Sequence, residues 1–385
     1  MANIFTCPRC GNKDPKYIGY LNGKPYCRFC ISFRGEEANK YRYSGGKPVL
    51  HLDYSLSEEQ KKISKQVILN YIHGIDTLIN AVCGSGKTEL VYGVIQYALA
   101  SKKPVAFALP RRDVAIELYY RIKNAFPNNK VVCVYGGNTT KLTGDIVVCT
   151  THQLYRYGEY FDLIILDEID AFPYKDNKLL NTMFLRSLKG HSVLMSATPS
   201  DEILEHYRHG KRQILELNTR FHKHPLPVPQ IVVKPGLFKT LFLTTKLKEF
   251  IRDKKPVFIF VPTIENAVSL FRYLKLIIPG GNIVHSKVIN RTEIIDGFRN
   301  GKFKYLVTTA VLERGVTIKD LQVIIFDSDH ELYNEQNLVQ ISGRVGRKFD
   351  APEGEVIFLA SKKTEAMQKA RNTIISKNKY LQNLF

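Results

Sequence analysis

The stretch Ala81-Val82-Cys83-Gly84-Ser85-Gly86-Lys87-Thr88 decides the fold. A β-rich run, Thr77 to Val82, leads into it, and a helical pattern, Glu89 to Ala100, follows. The glycines let backbone N–H groups curl around phosphate oxygens, and the helix behind them points its positive N-terminus at the same place. Lys87 has the reach for β- and γ-phosphates, and the Thr88 hydroxyl suits Mg²⁺. Ala81 stands where the GxxxxGK[ST] pattern has its first glycine. A Gly-rich turn before a surface helix would have the same composition but not the order strand, loop, helix. Gly84, Ser85, Gly86, Lys87 and Thr88 are therefore read as an ATP-binding loop.

Outward from this loop, short apolar runs alternate with helical patterns from about Leu52 to Leu217. That alternation argues for a parallel sheet covered by helices. Strands are expected at 77–82, 105–109, 131–135, 146–149, 163–166 and 192–195. The Pro-rich stretch Arg220 to Pro229 (RFHKHPLPVP) interrupts the pattern. It then resumes with strands at 257–261, 282–285, 305–308 and 323–326, a helix at 264–276 and a last helix from Thr364 to about Leu381. The expected fold class is α/β, in four segments: a module at 1–50, a first lobe at 51–219, a linker at 220–236 and a second lobe at 237–385.

Leu163-Ile164-Ile165-Leu166-Asp167-Glu168-Ile169-Asp170 is an apolar strand ending in carboxylates. Asp167 at that end would meet the Mg²⁺ held by Thr88, and Glu168 would polarise the attacking water as general base. By itself a strand followed by an acidic helix start is commonplace; behind a phosphate loop it completes an ATP site. Gln340-Ile341-Ser342-Gly343-Arg344-Val345-Gly346-Arg347 sets two arginines three apart, on one face if the segment is helical. Arginines brought to a γ-phosphate stabilise transition-state charge, worth roughly 10³–10⁵ in rate.

In this order, Gln60, the phosphate loop, Asp167 to Asp170, Ser196-Ala197-Thr198, Thr308 to Thr317 and Gln340 to Arg347 resemble the motifs of superfamily 2 helicases, over about Leu52 to Ala360. The resemblance implies two RecA-like P-loop lobes with ATP in the cleft and a nucleic-acid strand across their top. It implies that Gln60 reads the adenine and Gly315 approaches the nucleotide. Gln340, Arg344 and Arg347 join Lys87, Thr88, Asp167 and Glu168 in catalysis. Arg111, Arg112, Thr150, Thr151, Thr308 and Thr309 fall where that superfamily grips the strand's phosphates, although a Thr pair ending a strand also serves as a cap or ladder residue.

Composition agrees with a polyanionic track. The 385 residues carry 56 Lys plus Arg against 36 Asp plus Glu, a formal net charge of +20, with ordinary globular hydrophobicity of 44%. An anionic membrane surface would attract the same charge. No N-terminal apolar segment and no run of roughly 18 apolar residues occurs, so the expected location is the cytoplasm, with peripheral attachment at the inner face of the membrane also compatible. Disulfides are unexpected there. Cys83, Cys133 and Cys149 lie in apolar stretches and read as core hydrophobes, but Cys7-Pro8-Arg9-Cys10 and Cys27-Arg28-Phe29-Cys30 have the spacing of a four-thiolate Zn²⁺ site. A redox CxxC pair is the other reading. Residues 1–50 hold nine basic and three acidic residues. Tyr17, Tyr20, Tyr26 and Phe29 suit either stacking on unpaired bases or packing around the zinc knuckles.

A four-Cys module joined to such a core, with RFHKHPLPVP between its lobes, is similar to the ComFA family of late-competence DNA-uptake ATPases. That resemblance implies a motor driving single-stranded DNA inward at the membrane uptake channel. It also implies ComFC and DprA as partners and leaves room for an oligomer. A replication-restart or repair helicase of PriA type and an RNA helicase are the alternatives; the zinc cysteines of PriA lie within its core and are more numerous.

Overall fold

Strands that are apolar on both faces must be covered on both sides, and this chain does so twice. The computed structural model describes residues 5–33, 35–52, 55–82, 84–220, 223–312 and 316–382. It divides into two compact units, one of Met1–Ala81 and Gly86–Leu217, the other of Val82–Ser85 and Asn218–Phe385.

The first unit opens with an antiparallel hairpin, β1 (Ile18–Leu21) and β2 (Lys24–Cys27). There follow α1 (Glu58–Ile72), β3 (Asp76–Ala81), α2 (Lys87–Leu90), α3 (Tyr92–Ala100), β4 (Val105–Leu109), α4 (Arg112–Ala125), β5 (Val131–Val134) and β6 (Ile146–Thr150). After a 3-10 segment, Thr151–Arg156, come β7 (Phe161–Asp167), α5 (Lys178–Ser187), β8 (Leu188–Ser196), α6 (Asp201–Tyr207) and β9 (Arg212–Leu217). Strands β3 to β9 form one parallel sheet in the order β5-β6-β4-β7-β8-β3-β9. Successive residues face opposite sides. Ile79, Phe107, Val148 and Ile165 pack under α1, α3 and α4, whereas Leu78, Ala106, Val147 and Ile164 belong to a second core with α5. Truncating one such buried side chain, Phe107→Ala for instance, would cost about 3–5 kcal/mol.

That second core also contains Cys7, Cys10, Cys27 and Cys30. The N-terminal segment therefore borrows its core from the lobe. A strap completes the docking: Ala38 N donates to Arg156 O at 2.9 Å, Gly46 N to Asn128 O at 2.9 Å and His51 N to Ala125 O at 2.8 Å. Fully buried Asp145 accepts from Ser44 N at 3.1 Å, Lys130 N at 2.9 Å and the Tyr41 hydroxyl at 3.4 Å. Buried Arg156 donates to Gln153 Oε1 and to Glu36 O, both at 2.7 Å.

The second unit contains β10 (Gln230–Val233), α7 (Gly236–Arg252), β11 (Val257–Phe260), α8 (Ile264–Ile277), β12 (Gly281–Val284), α9 (Arg291–Arg299) and β13 (Tyr305–Thr308). It continues through a 3-10 turn, Ala310–Leu312, to β14 (Gln322–Phe326), α10 (Glu335–Ser342), β15 (Val356–Ala360) and α11 (Glu365–Gln382). Its sheet is parallel throughout, in the order β10-β15-β14-β11-β13-β12.

Three local features differ from the sequence pattern. Residues 223–229 are irregular, as their prolines dictate, but the stretch at 220–236 ends in β10, an edge strand paired with β15. The helix after the phosphate loop is split at Val91 into α2 and α3. Arg344 and Arg347 are not on a helix: α10 stops at Ser342, Gly343 caps it, and Gly346 takes φ +66°, which a right-handed helix does not accept.

Candidate functional site

All strands of the first sheet run one way, so their carboxyl ends share an edge, where open α/β sheets bind ligands. Along that edge stand Thr150 ending β6, Leu109 ending β4 just before Arg111 and Arg112, Asp167 ending β7, Ser196 ending β8 and Ala81 ending β3. The nucleotide candidates occupy one half of the edge and the strand-contact candidates the other.

Gly84 and Gly86 take φ +82° and +75°, the left-handed conformation that lets the loop turn back on itself. A Cβ on Gly86 would also stand 2.6 Å from Gln60 Nε2. Gln60 reaches the loop because it is held at the third position of α1: its Oε1 accepts from Ser57 N at 2.9 Å, and Ser57 Oγ accepts from Gln60 N at 3.3 Å. That reciprocal capping box fixes both the helix start and the carboxamide. Ser85 is buried, and Lys87 and Thr88 are half-buried.

Lys87 Nζ lies 3.5 Å from Asp167 Oδ1. Two motifs far apart in sequence thus meet, and the lysine and carboxylate compensate each other's charge in a partly desolvated place. Glu168 takes φ +57° and donates its N–H to Asp167 Oδ1 at 2.8 Å. A left-handed non-glycine residue costs of order 1–3 kcal/mol, and such strain clusters at functional sites. Asp170 accepts from Ser196 Oγ at 2.8 Å and Thr198 Oγ1 at 2.9 Å, which ties the carboxylate run to the end of β8. Buried Glu89, one turn past the loop, is ion-paired with Arg121.

In the second unit Gln340 is buried on α10. Arg344 is buried with Nη1 donating to Val316 O at 2.9 Å, while half-buried Arg347 donates Nε to Gly343 O at 2.8 Å. Fully buried Arg220 holds this turn, donating from Nη1 to Val345 O at 2.9 Å and Gly346 O at 2.7 Å, and from Nη2 to Gly343 O at 3.4 Å. Sequence reading misses Arg220, since a lone arginine before prolines carries no trace of carbonyls more than a hundred residues away. The Asp170 contacts had a signal in the Ser-Ala-Thr motif. Gly315 and Cys83 lie outside the described residues.

The strand-contact candidates are less uniform. Thr150 and Thr151 are buried, and Thr151 Oγ1 has no hydrogen-bond partner among the described residues. Thr308 is fully buried and spends its hydroxyl on Val284 O at 2.8 Å; Thr309 is half-buried. Arg112 lies over the Tyr135 ring at 4.7 Å, and half-buried Arg111 caps the start of α4.

Cys7, Cys10, Cys27 and Cys30 bring four buried sulfurs within 4.8 Å of one another. Cys7 and Cys30 Sγ are 3.7 Å apart, and Cys10 and Cys27 Sγ 3.6 Å, too far for a disulfide. A tetrahedron of thiolates at 2.3 Å from Zn²⁺ has edges of about 3.8 Å, so the cluster fits that ion. Burial pushes Cys10 up to about 11 and Cys30 higher still. Cys27, also raised by burial, is drawn below its ordinary value on balance by backbone hydrogen bonds at Cys30 and Phe29. Cys10 and Cys30 thus resist ionising without a cation among them, and a metal would supply the compensating charge.

The DEAD/DEAH box helicase family matches residues 61–206, and the helicase conserved C-terminal domain matches 243–349. The competence protein ComFA of Bacillus subtilis is 34% identical over 97% of this chain and 86% of its own length. Its Streptococcus pneumoniae counterpart is 32% identical over 97% and 90%. Among solved structures, S. cerevisiae Dbp5 bound to RNA and ADP BeF3 superposes with a TM-score of 0.64, at 20% identity over 85% of this chain and 92% of that one, which is a likeness of fold. Two RecA-like parallel-sheet lobes, a phosphate loop meeting an acidic strand end and a four-cysteine cluster accord with these matches. The chain belongs to the ComFA family of nucleic-acid-dependent ATPases within helicase superfamily 2.

Proposed function

We propose that the chain is an ATP-driven single-stranded DNA translocase that draws transforming DNA into the cell during natural competence. What carries this reading is the 32% and 34% identity, over 97% of this chain, with two proteins named competence protein ComFA. The net charge of +20 supports a polyanionic track. In this reading Lys87 and the loop glycines hold the phosphates, with Gln60 toward the base. Thr88 and Asp167 hold Mg²⁺, which would neutralise charge on the phosphate oxygens. Glu168 accepts a proton from the attacking water. Arg347 stabilises charge on the γ-phosphate, while Arg344 and Gln340 shape the turn and helix that carry it. Arg111, Arg112, Thr150, Thr151 and Thr309 meet the strand's phosphates, Thr308 acting through its peptide rather than its hydroxyl. A Zn²⁺ ion occupies the four cysteines. The partners are single-stranded DNA, ComFC, DprA and the membrane uptake channel.

ATP turnover measured with single-stranded DNA, duplex DNA and RNA across a salt titration tests the substrate. Single-stranded DNA should activate most, and its apparent affinity should fall steeply with salt as phosphate contacts are screened. Equal or greater activation by RNA would overturn the DNA assignment. Transformation frequency in a Lys87→Ala strain tests the biological role; it should drop to background.

A further inference from the structure

Of the four rings interleaved with cations in the four-cysteine segment, the structure uses three internally. Tyr17 packs on Phe29 with centroids 5.1 Å apart. The Tyr26 ring lies across Gly19, where a Cβ would come within 2.5 Å of it. Tyr20 is different: at the tip of the β1–β2 hairpin it is 70% exposed, and its neighbour Leu21 is 69% exposed. The turn behind them, Asn22-Gly23, has positive φ at both residues, +49° and +73°, a tight two-residue connection that holds the tip firmly.

Beside Leu21 opens a groove of about 940 Å³, its apolar lining including Phe5, Pro8, Pro25 and Ile31, with the cations Arg9, Lys24 and Arg186 at its wall and one acid, Glu37, which is paired with Arg186. Lys13, Lys16, Lys24 and Arg28 are exposed on the same short segment, and Asp14 is the one acid between Cys7 and Ile31. Among the described residues Lys13, Lys24 and Arg28 make no ion pair. An acidic peptide would satisfy those cations but gives a lone exposed ring nothing to stack on. An unpaired base supplies a flat π-face, and its backbone supplies the phosphates.

We propose that the Tyr20–Leu21 tip and its groove seat an unpaired base of single-stranded nucleic acid, with Tyr20 stacked on the base and Lys24 and Arg28 at the flanking phosphates. This deepens the translocase reading and rests on it. Because the cysteines that hold the hairpin share a core with the first lobe, and Arg186 of that lobe donates to Arg9 O at 3.5 Å, this contact would travel with that lobe.

The chain contains no tryptophan, so Tyr20→Trp introduces a single fluorescent indole at the tip. In the zinc-loaded full chain, oligo-dT should quench that indole, and an abasic strand of equal length should not. Tyr120→Trp, on exposed Tyr120 in α4, gives a control indole that should stay unquenched by either. Tyr20→Ala should weaken oligo-dT binding by about 5- to 100-fold, the range of losing one stacked base, with zinc content unchanged. An unquenched Tyr20→Trp indole in a chain that still binds oligo-dT by anisotropy overturns the hairpin site and leaves the translocase reading standing. Failure of the unsubstituted chain to bind any single strand overturns the reading beneath it. Indole emission that changes with protein concentration alone, and not with DNA, makes the tip an interface between copies and also overturns the proposal.

Discussion

At the scale of single residues, the site separates groups that touch substrate from groups that hold them. In the function proposed above, Lys87 and Glu168 belong to the first kind. Lys87→Ala should leave turnover at background in a coupled ATPase assay. Glu168→Gln should keep nucleotide binding while lowering kcat by about 10²–10⁴, the contribution of a positioned general base. Arg220 belongs to the second kind. Its guanidinium donates to three carbonyls in the turn carrying Arg344 and Arg347, of which Gly343 O also accepts from Arg347 Nε. A planar fork with several donors suits that task and an ammonium does not. Arg220→Lys should therefore lower kcat by roughly tenfold and move KM for ATP by less than about twofold, since a displaced finger affects transition-state charge more than ground-state binding. Arg220→Met should in addition lower the melting temperature, because each buried carbonyl left unpaired costs about 1–3 kcal/mol. Equal losses of kcat and stability in both variants would reduce Arg220 to a packing role.

At the scale of elements, the hairpin and strap form a unit only through what they dock on. The four cysteines share a core with α5 and with Tyr155 and Tyr157, and Asp145 gathers three donors, two of them from the strap. Cys27→Ser should remove the metal and raise hydrogen exchange in β1, β2 and residues 36–46, and the disturbance should spread into the 3-10 segment Thr151–Arg156 beneath them. One zinc per chain in that variant, by metal analysis, would refute the four-thiolate site. The same elements mark what a sequence can reveal. Strands β4 and β13 are legible to the residue because both faces are buried and the whole run must be apolar. Strand β15 is buried throughout in the same way, yet it is not among the strands expected from the sequence. Edge strands β9 and β10 are mostly half-buried or exposed, with Leu217 the one buried position, so no apolar run sets them apart from the flanking loops. Lys87 and Asp167 are legible as motifs because phosphate chemistry constrains their local spacing. Arg156, Asp145 and Arg220 are not, because each has backbone groups among its partners, which any residue supplies.

At the scale of the whole molecule, buried phenols are the most numerous of the ionisable groups whose titration bears on stability, and the thiols of Cys133 and Cys149, raised by burial, join them. Burial is the leading cause that pushes Tyr71, Tyr160 and Tyr305 up to about 12, and it pushes Tyr41, Tyr92, Tyr157, Tyr174 and Tyr207 well above the ordinary tyrosine value. An unfolded chain releases these protons near pH 10, while the folded chain keeps them to about 12 or beyond. Between those limits the unfolded state binds fewer protons, so the phenols' contribution to stability is fully present below pH 10 and falls as pH rises through that window. A second effect has the opposite sign. Lysines also begin to discharge above about pH 10, which relieves the self-repulsion of a chain with a net charge of +20. The two differ in range: repulsion between surface charges is screened within about 10 Å at 0.1 M salt, whereas phenol burial is local and barely feels the ions. Melting temperatures followed from pH 8 to 11 should therefore begin to fall near pH 9, where Cys133 and Cys149 would ionise in the unfolded chain, and drop further above about pH 10 as the phenols follow. The drop should be steeper in high salt, where the compensating relief of repulsion is already screened away. A melting temperature that rises above pH 10 at low salt would mean that charge relief outweighs the buried phenols.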